Sequence, residues 1–197
     1  RSGFMAGTNT VAAAIVAGNK AWIKNEAWNE AVVLAVAGTT ALPITLEGYN
    51  TARGDAPTGA NRPTLDRATA AGIGFAINQI FYIVKHIRVT RAGSAGISHG
   101  QNDQLLVNVR SYNNGTRGVI NTAAGARLYY VACEFDTNTT QGNDLVAATN
   151  VILHGCYVHD NTGEGIAQFG AFATVALTII EANASHGISG GTGLGGF

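Results

Sequence analysis

The sequence predicts an all-β fold: a single-stranded parallel β-helix, a solenoid with coils of about 22–24 residues. Three observations predict it. Leu65, Ile87, Val109, Cys133, Cys156 and Thr178 recur at spacings of 22, 22, 24, 23 and 22 residues. A glycine followed by an apolar residue closes each coil nine and ten positions later: Gly74-Phe75, Gly96-Ile97, Gly118-Val119, Gly165-Ile166 and Gly187-Ile188. The coil of Cys133 is the exception, read as two residues longer and closing at Asp144-Leu145. Finally, asparagine stands five residues after four successive anchors, at Asn114, Asn138, Asn161 and Asn183. A repeat this short cannot bury a core alone, so each unit must stack on the next.

Residues 1–40 do not fit the period and are expected to form an N-terminal capping segment. Alanine-rich Val11 to Trp28, with Trp22 and Ile23, suits an amphipathic helix or irregular strands over the open end. Ala31 to Ala37 is apolar enough for a buried strand. The β-helix proper is placed at 41–197, with Leu42 to Tyr49 as its first strand. Polar residues 50–62, carrying Gly54, Pro57 and Gly59, read as an inserted loop. From Leu65 on, each coil pairs an apolar segment (Tyr82-Ile83-Val84, Leu105-Leu106-Val107, Tyr129-Tyr130-Val131) with a short alternating strand. Period-two alternation puts Ile87/Val89, Cys133/Phe135 and Cys156/Val158 inside and the intervening residues outside. No helical segment of 10–15 residues separates the strands, which excludes a strand–helix–strand fold.

The asparagines fall where the chain must turn after the alternating strand. Stacked one coil apart, their amides can bond one another and satisfy buried polar groups. Asn114-Gly115-Thr116, Asn138-Thr139-Thr140 and Asn183-Ala184-Ser185 also match the glycosylation pattern. All three lie on the ladder, so the structural reading is preferred.

Lysine plus arginine equal aspartate plus glutamate at 12 each, so no concentrated positive field for nucleic acid is expected. No apolar run reaches the ~18 residues of a membrane helix. Cys133 and Cys156 share a repeat position, which puts them about 4.8 Å apart in a stack. They read as buried thiols, although the separation also permits a disulfide.

Pro43-Ile44-Thr45-Leu46-Glu47-Gly48-Tyr49 and His159-Asp160-Asn161-Thr162-Gly163-Glu164-Gly165-Ile166 carry a family resemblance. In wording and period they resemble the right-handed parallel β-helices of the pectate-lyase-like superfamily, over about residues 42–190. The resemblance implies a right-handed helix and an asparagine ladder. It also implies a function among polysaccharide lyases, hydrolases, bacterial surface proteins and phage tail spikes. The paired aspartates and the arginine-x-lysine element of the hydrolases are missing here. The lyases' calcium-binding aspartate cluster is matched only by scattered Glu134, Asp136 and Asp160, a weak set for an ion that takes 6–8 oxygens.

Outward positions of the alternating strands should form two columns: Asp66, Arg88, Arg110, Glu134, Tyr157, Ile179, and Ala68, Thr90, Tyr112, Asp136, His159, Glu181. Asp136, His159 and Glu181 are the candidate catalytic residues. Their carboxylates would lie about 9–10 Å apart with histidine between, a spacing that can flank a glycosidic bond and a water. Arg110, Tyr112, Glu134 and Tyr157 are the candidate ligand-binding residues. Polar residues from Asp136 to Asp144 are expected to protrude as a lip beside them.

The function expected first is a structural or attachment module of a virion or cell-surface assembly (spike, decoration or adhesin), possessing a face that can touch glycans. A polysaccharide lyase or glycoside hydrolase, and a carbohydrate-binding module without turnover, are the alternatives. No metal or other cofactor is required by this reading. Val175, Leu177 and Ile180 in the last coil leave apolar edges that predict a homo-oligomer or larger assembly over the C-terminal end. The implied location is extracellular, on a cell surface or in a virion.

Overall fold

The computed structural model describes residues 15–167 and 172–190, and the strands among them stack into seven coils of three strands each. The first coil contains β1 (Lys20–Lys24), β2 (Ala27–Trp28) and β3 (Val32–Leu34); the second, β4 (Ile44–Tyr49), β5 (Thr64–Asp66) and β6 (Phe75–Ile77). The third contains β7 (Tyr82–Lys85), β8 (Arg88–Thr90) and β9 (Ile97–His99); the fourth, β10 (Gln104–Val107), β11 (Arg110–Tyr112) and β12 (Val119–Asn121). The fifth contains β13 (Ala126–Val131), β14 (Glu134–Asp136) and β15 (Asn143–Asp144); the sixth, β16 (Ala148–His154), β17 (Tyr157–His159) and β18 (Ile166–Ala167). The seventh is β19 (Phe172–Ala176), β20 (Ile179–Glu181) and β21 (Ile188–Ser189). Each strand pairs in parallel with its counterpart one coil away, giving three seven-stranded sheets. The expected parallel β-helix is therefore the observed fold.

Alternation builds the core. Along the first sheet Leu46, Val84, Leu106, Leu128, Tyr130 and Leu153 face inward and are buried, while Ile83, Leu105 and Tyr129 face outward between them. The second and third sheets contribute Val89, Phe135, Val158, Ile97, Val119 and Ile166 to the same interior. From the third coil on, two bends per coil are made by single left-handed residues. Asn108, Ala132 and Gly155 turn the chain from the first sheet to the second; Asn113, Thr137 and Asp160 turn it from the second to the third. Left-handed backbone costs a side-chain-bearing residue about 1–2 kcal/mol, and asparagine and aspartate tolerate it best.

The ladder asparagine is the residue after this second bend, not the bend itself. Asn114 Nδ2 donates to Asn138 Oδ1 at 2.9 Å, Asn138 Nδ2 to Asn161 Oδ1 at 3.0 Å, and Asn161 Nδ2 to Asn183 Oδ1 at 2.8 Å. The same oxygens accept from the backbone N–H of Asn114, Asn138 and Asn161. Asn114 and Asn138 are buried, so their glycosylation patterns lie where no glycan fits. The ladder also explains the glycine column. A Cβ on Gly118 would meet the Gly142 carbonyl at 2.5 Å and Asn138 Nδ2 at 2.8 Å. Close approach, not turning, is what requires glycine there.

Four sequence expectations are corrected. Residues 20–34, expected within a cap, form the first full coil, because Trp22, Ile23 and Trp28 alternate into sheets against β4 and β5. Residues 1–14 and 191–197 lie outside the described residues. Leu65 pairs with Val89, so its place is two residues off the Ile87 series, which continues at Pro63; two extra residues between β5 and β6 restore the distance to Gly74. The fifth coil closes at Gly142-Asn143, in register with Gly118-Val119, not at Asp144-Leu145. Its extra length lies between β12 and β13: Ile97↔Val119 spans 22 residues and Gln104↔Leu128 spans 24. Thr139 and Thr140 accordingly lie on the coil below, donating to the Asn114 and Thr116 carbonyls, and form no lip.

The loop of residues 50–62 is present as expected, carrying a short 3₁₀ turn at Gly59–Asn61. Asp55 folds its start by accepting the N–H groups of Asn50, Thr51 and Ala52. In the last coil Leu177 and Ile179 are exposed and Ile180 is half-buried. Among the described residues no helix is long and apolar enough to cross a membrane.

Candidate functional site

The outward face of the second sheet carries the chemistry-bearing side chains. Its register gives two columns: Thr64, Arg88, Arg110, Glu134, Tyr157, Ile179, and Asp66, Thr90, Tyr112, Asp136, His159, Glu181. Asp66 thus belongs beside Thr90 in the second column, not beside Arg88; Ala68 leaves the column. From Arg88 and Thr90 onward both columns match the sequence expectation.

Asp136, His159 and Glu181 occupy three successive rungs, but their charged atoms turn to different partners. Asp136 is buried and forms a two-point pair with Arg110, Oδ1 accepting from Nε at 2.8 Å and Oδ2 from Nη2 at 2.7 Å. Thr137 Oγ1 donates to the same carboxylate at 3.2 Å. His159 bonds Asp160 Oδ2 through Nδ1 at 2.7 Å, and its Nε2 lies 3.4 Å from Glu134 Oε1. Its ring stacks on Tyr157 at 3.8 Å. Glu181 accepts the Tyr157 hydroxyl at 2.7 Å, which pushes that phenol up to about 12. Each candidate acid or base already holds a protein partner.

The expected ligand-binding residues belong to the same network. Arg110 lies over the Tyr112 ring at 4.3 Å and also reaches Glu134 at 3.5 Å. Its bond to Asp136 raises its proton affinity, with the Glu134 charge adding to the effect. Sequence reasoning missed Arg62, which the loop delivers to this face. Arg62 is buried; it donates to the Asn108 carbonyl and Oδ1 at 3.1 Å each, and its Nη2 lies 3.7 Å from Glu134. Burial lowers its proton affinity and Glu134 opposes the drop. Asn108 returns a bond to the Pro57 carbonyl and another to His86 Nδ1, while Arg88 donates to the Ala60 carbonyl. The loop is therefore strapped onto the second sheet. The only trace in the sequence is an asparagine, Asn108, interrupting an apolar run from Leu105 to Val109.

Glu134, Asp136 and His159 each bring one ligand atom within 4.8 Å of the others. The donor set does not suit calcium. Two guanidinium groups already neutralise the two carboxylates, and Asp160, the third expected oxygen ligand, is turned to His159. A calcium ion needs about 6–8 oxygens and repels adjacent cations.

No protein-family model matches the chain, and no curated protein matches it. Its fold is similar to three solved structures. Pectate lyase Pel9A superposes with TM-score 0.72 at 15% identity, over 87% of this chain and 47% of that one. Alginate lyase from Paenibacillus sp. str. FPU-7 gives 0.54 at 12% identity, over 90% of each chain. The enzymatically active domain of bacteriophage CBA120 tailspike protein 2 gives 0.45 at 10% identity, over 87% of this chain and 38% of that one. The chain spans about half the length of the pectate lyase. The likenesses to the two lyases bear out the expected β-helix at the level of fold; identity this low carries no residue roles.

Proposed function

We propose that the chain is a non-catalytic β-solenoid module of an extracellular assembly, on a cell surface or in a virion, where it serves attachment or support. The observation that carries this reading is the engagement of Asp136, His159 and Glu181 with Arg110, Asp160 and Tyr157. General acid–base chemistry needs a group free to exchange a proton with substrate. A carboxylate held at two points by a guanidinium has both oxygens engaged and makes a good inter-coil tie.

A glycan-binding role without turnover is the second reading. It is favoured by half-buried Tyr112, beside Arg110, and half-buried Tyr157, stacked on His159, on one face, and by a fold shared with two polysaccharide lyases. The test is incubation with pectate, alginate and neutral glucans, followed for unsaturated products and new reducing ends. Retention on the same glycans, immobilised, is measured alongside. No product is expected. Turnover abolished by His159→Ala or Glu181→Gln would overturn the proposal, and retention lost in Tyr157→Ala would favour the second reading.

A further inference from the structure

The interior column beside the first bend reads Ile87, Val109, Cys133, Cys156 and Thr178, so two sulfurs replace aliphatic groups on successive coils. Both cysteines are free and almost completely buried. Their relation is fixed by the register one residue on, where Glu134 pairs with Tyr157 and the Tyr157 N–H donates to the Cys133 carbonyl at 2.8 Å. One rung separates them, about 4.8 Å, inside the Cα range of about 4.4–6.8 Å that a disulfide spans. Each thiol points at a backbone carbonyl of the first sheet, Cys133 Sγ donating to Leu106 at 3.4 Å and Cys156 Sγ to Tyr130 at 3.5 Å. Each follows a left-handed bend residue, Ala132 or Gly155, so it stands at the hinge between two sheets, just outside either strand.

We propose that Cys133 and Cys156 form an inter-coil disulfide site that closes when the chain meets an oxidising thiol–disulfide pool. The co-reactant is a low-molecular-weight disulfide of the glutathione class. Cys156 is the attacking group: the neighbouring Cys133 draws its pKa down, whereas burial holds Cys133 well above its ordinary value. The Cys156 thiolate attacks one glutathione sulfur and expels the other glutathione as thiolate, leaving a mixed disulfide. Cys133 then loses its proton, attacks the Cys156 sulfur and expels the second glutathione. Two protein thiols are oxidised, and one glutathione disulfide is reduced to two thiols. The closed bond ties the fifth coil to the sixth and closes a loop in the unfolded chain, so it raises stability. The site stands independently of the functional reading above.

The experiment uses the whole reduced chain, held with oxidised glutathione at mildly alkaline pH and, in parallel, refolded from denaturant in a mixed glutathione buffer. Free thiols are titrated in denaturant, and the protein is cleaved after acidic residues, which separates the two cysteines. The expected result is loss of both thiols, a linked Cys133–Cys156 peptide, no covalent dimer, and a thermal midpoint that rises and falls back on reduction. Cys133→Ala should show no such rise and should carry at most one glutathione, on Cys156. Two free thiols after both treatments, glutathione on both cysteines, or a bond between chains would each overturn the proposal.

Discussion

Asn138→Ala tests the internal ladder most sharply. Asn138 is fully buried, and four hydrogen bonds involve its amide group. Its Oδ1 accepts the Asn114 N–H at 3.2 Å and Asn114 Nδ2 at 2.9 Å, and its Nδ2 donates to Asn161 Oδ1 at 3.0 Å and the Ser111 carbonyl at 3.3 Å. Truncation affects these partners unequally. Asn114 Nδ2 keeps Ser111 Oγ, and Asn161 Oδ1 keeps the Asn138 backbone N–H. The Asn114 N–H loses its Asn138 acceptor, and a buried orphan donor costs about 1–3 kcal/mol. With the lost amide bonds added, the expected destabilisation is about 2–3 kcal/mol. For a chain of this size that lowers the thermal midpoint by roughly 5–10 °C. Urea unfolding followed by circular dichroism measures it directly, with Asn183→Ala as the comparison. Asn183 is only half-buried and should cost less. A midpoint for Asn138→Ala equal to wild type would refute the argument that the ladder satisfies buried groups.

Other predictions follow from the same geometry. Gly118→Ala should lower the urea midpoint by more than Asn138→Ala, because its Cβ meets backbone as well as the ladder; a neutral effect would mean the coils can separate locally. His99 is wholly buried beside Gln104, and burial depresses its pKa to about 4. A depressed folded-state pKa gives stability that is complete above the unfolded value of about 6.5 and lost as pH falls toward 4. The urea midpoint should therefore drop over that window, and His99→Leu should flatten the drop between about pH 6.5 and 5, above the carboxylate range. An unchanged pH profile in His99→Leu would contradict the assignment. Asp66, held low by its bond to Arg91, acts further down: its contribution is present above about pH 4 and vanishes below. Arg91→Gln should reduce acid sensitivity in that lower range, as read by midpoints at successive pH values.

Much of this architecture was legible because stacking forces equivalent positions to repeat. From Ile87 onward the inward anchors and the outward columns are those the alternation predicts. Sequence and structure differ where insertions compensate. Leu65 sits at a plausible distance from Gly74 only because the second coil carries two extra residues before that glycine. Gly142 does not stand out in the sequence because a polar residue, Asn143, follows it, although Asn143 occupies the same buried position as Val119 and Ile166. The side-chain pairing on the second sheet was beyond the pattern. A residue such as Glu134 has neighbours above, below and beside it. It meets Arg110 and His159 from adjoining strands, and Arg62 from a loop whose docking rests on Asn108. The candidate residues were therefore placed on the right face, while what holds each of them was not readable.

The central claim is that the candidate face is a structural network, and a double-mutant cycle on Arg110 and Asp136 tests it most directly. Arg110→Met, Asp136→Asn and the combined variant are compared with the parent by urea unfolding at neutral pH. A buried two-point pair whose single truncations strand a partner should give each single variant a loss of about 2–4 kcal/mol. The double variant should lose much less than the sum, leaving a favourable coupling of about 1–3 kcal/mol. Groups strained for catalysis behave in the opposite way, since replacing them commonly stabilises a protein. A coupling near zero, or an Asp136→Asn variant more stable than the parent, would contradict the account.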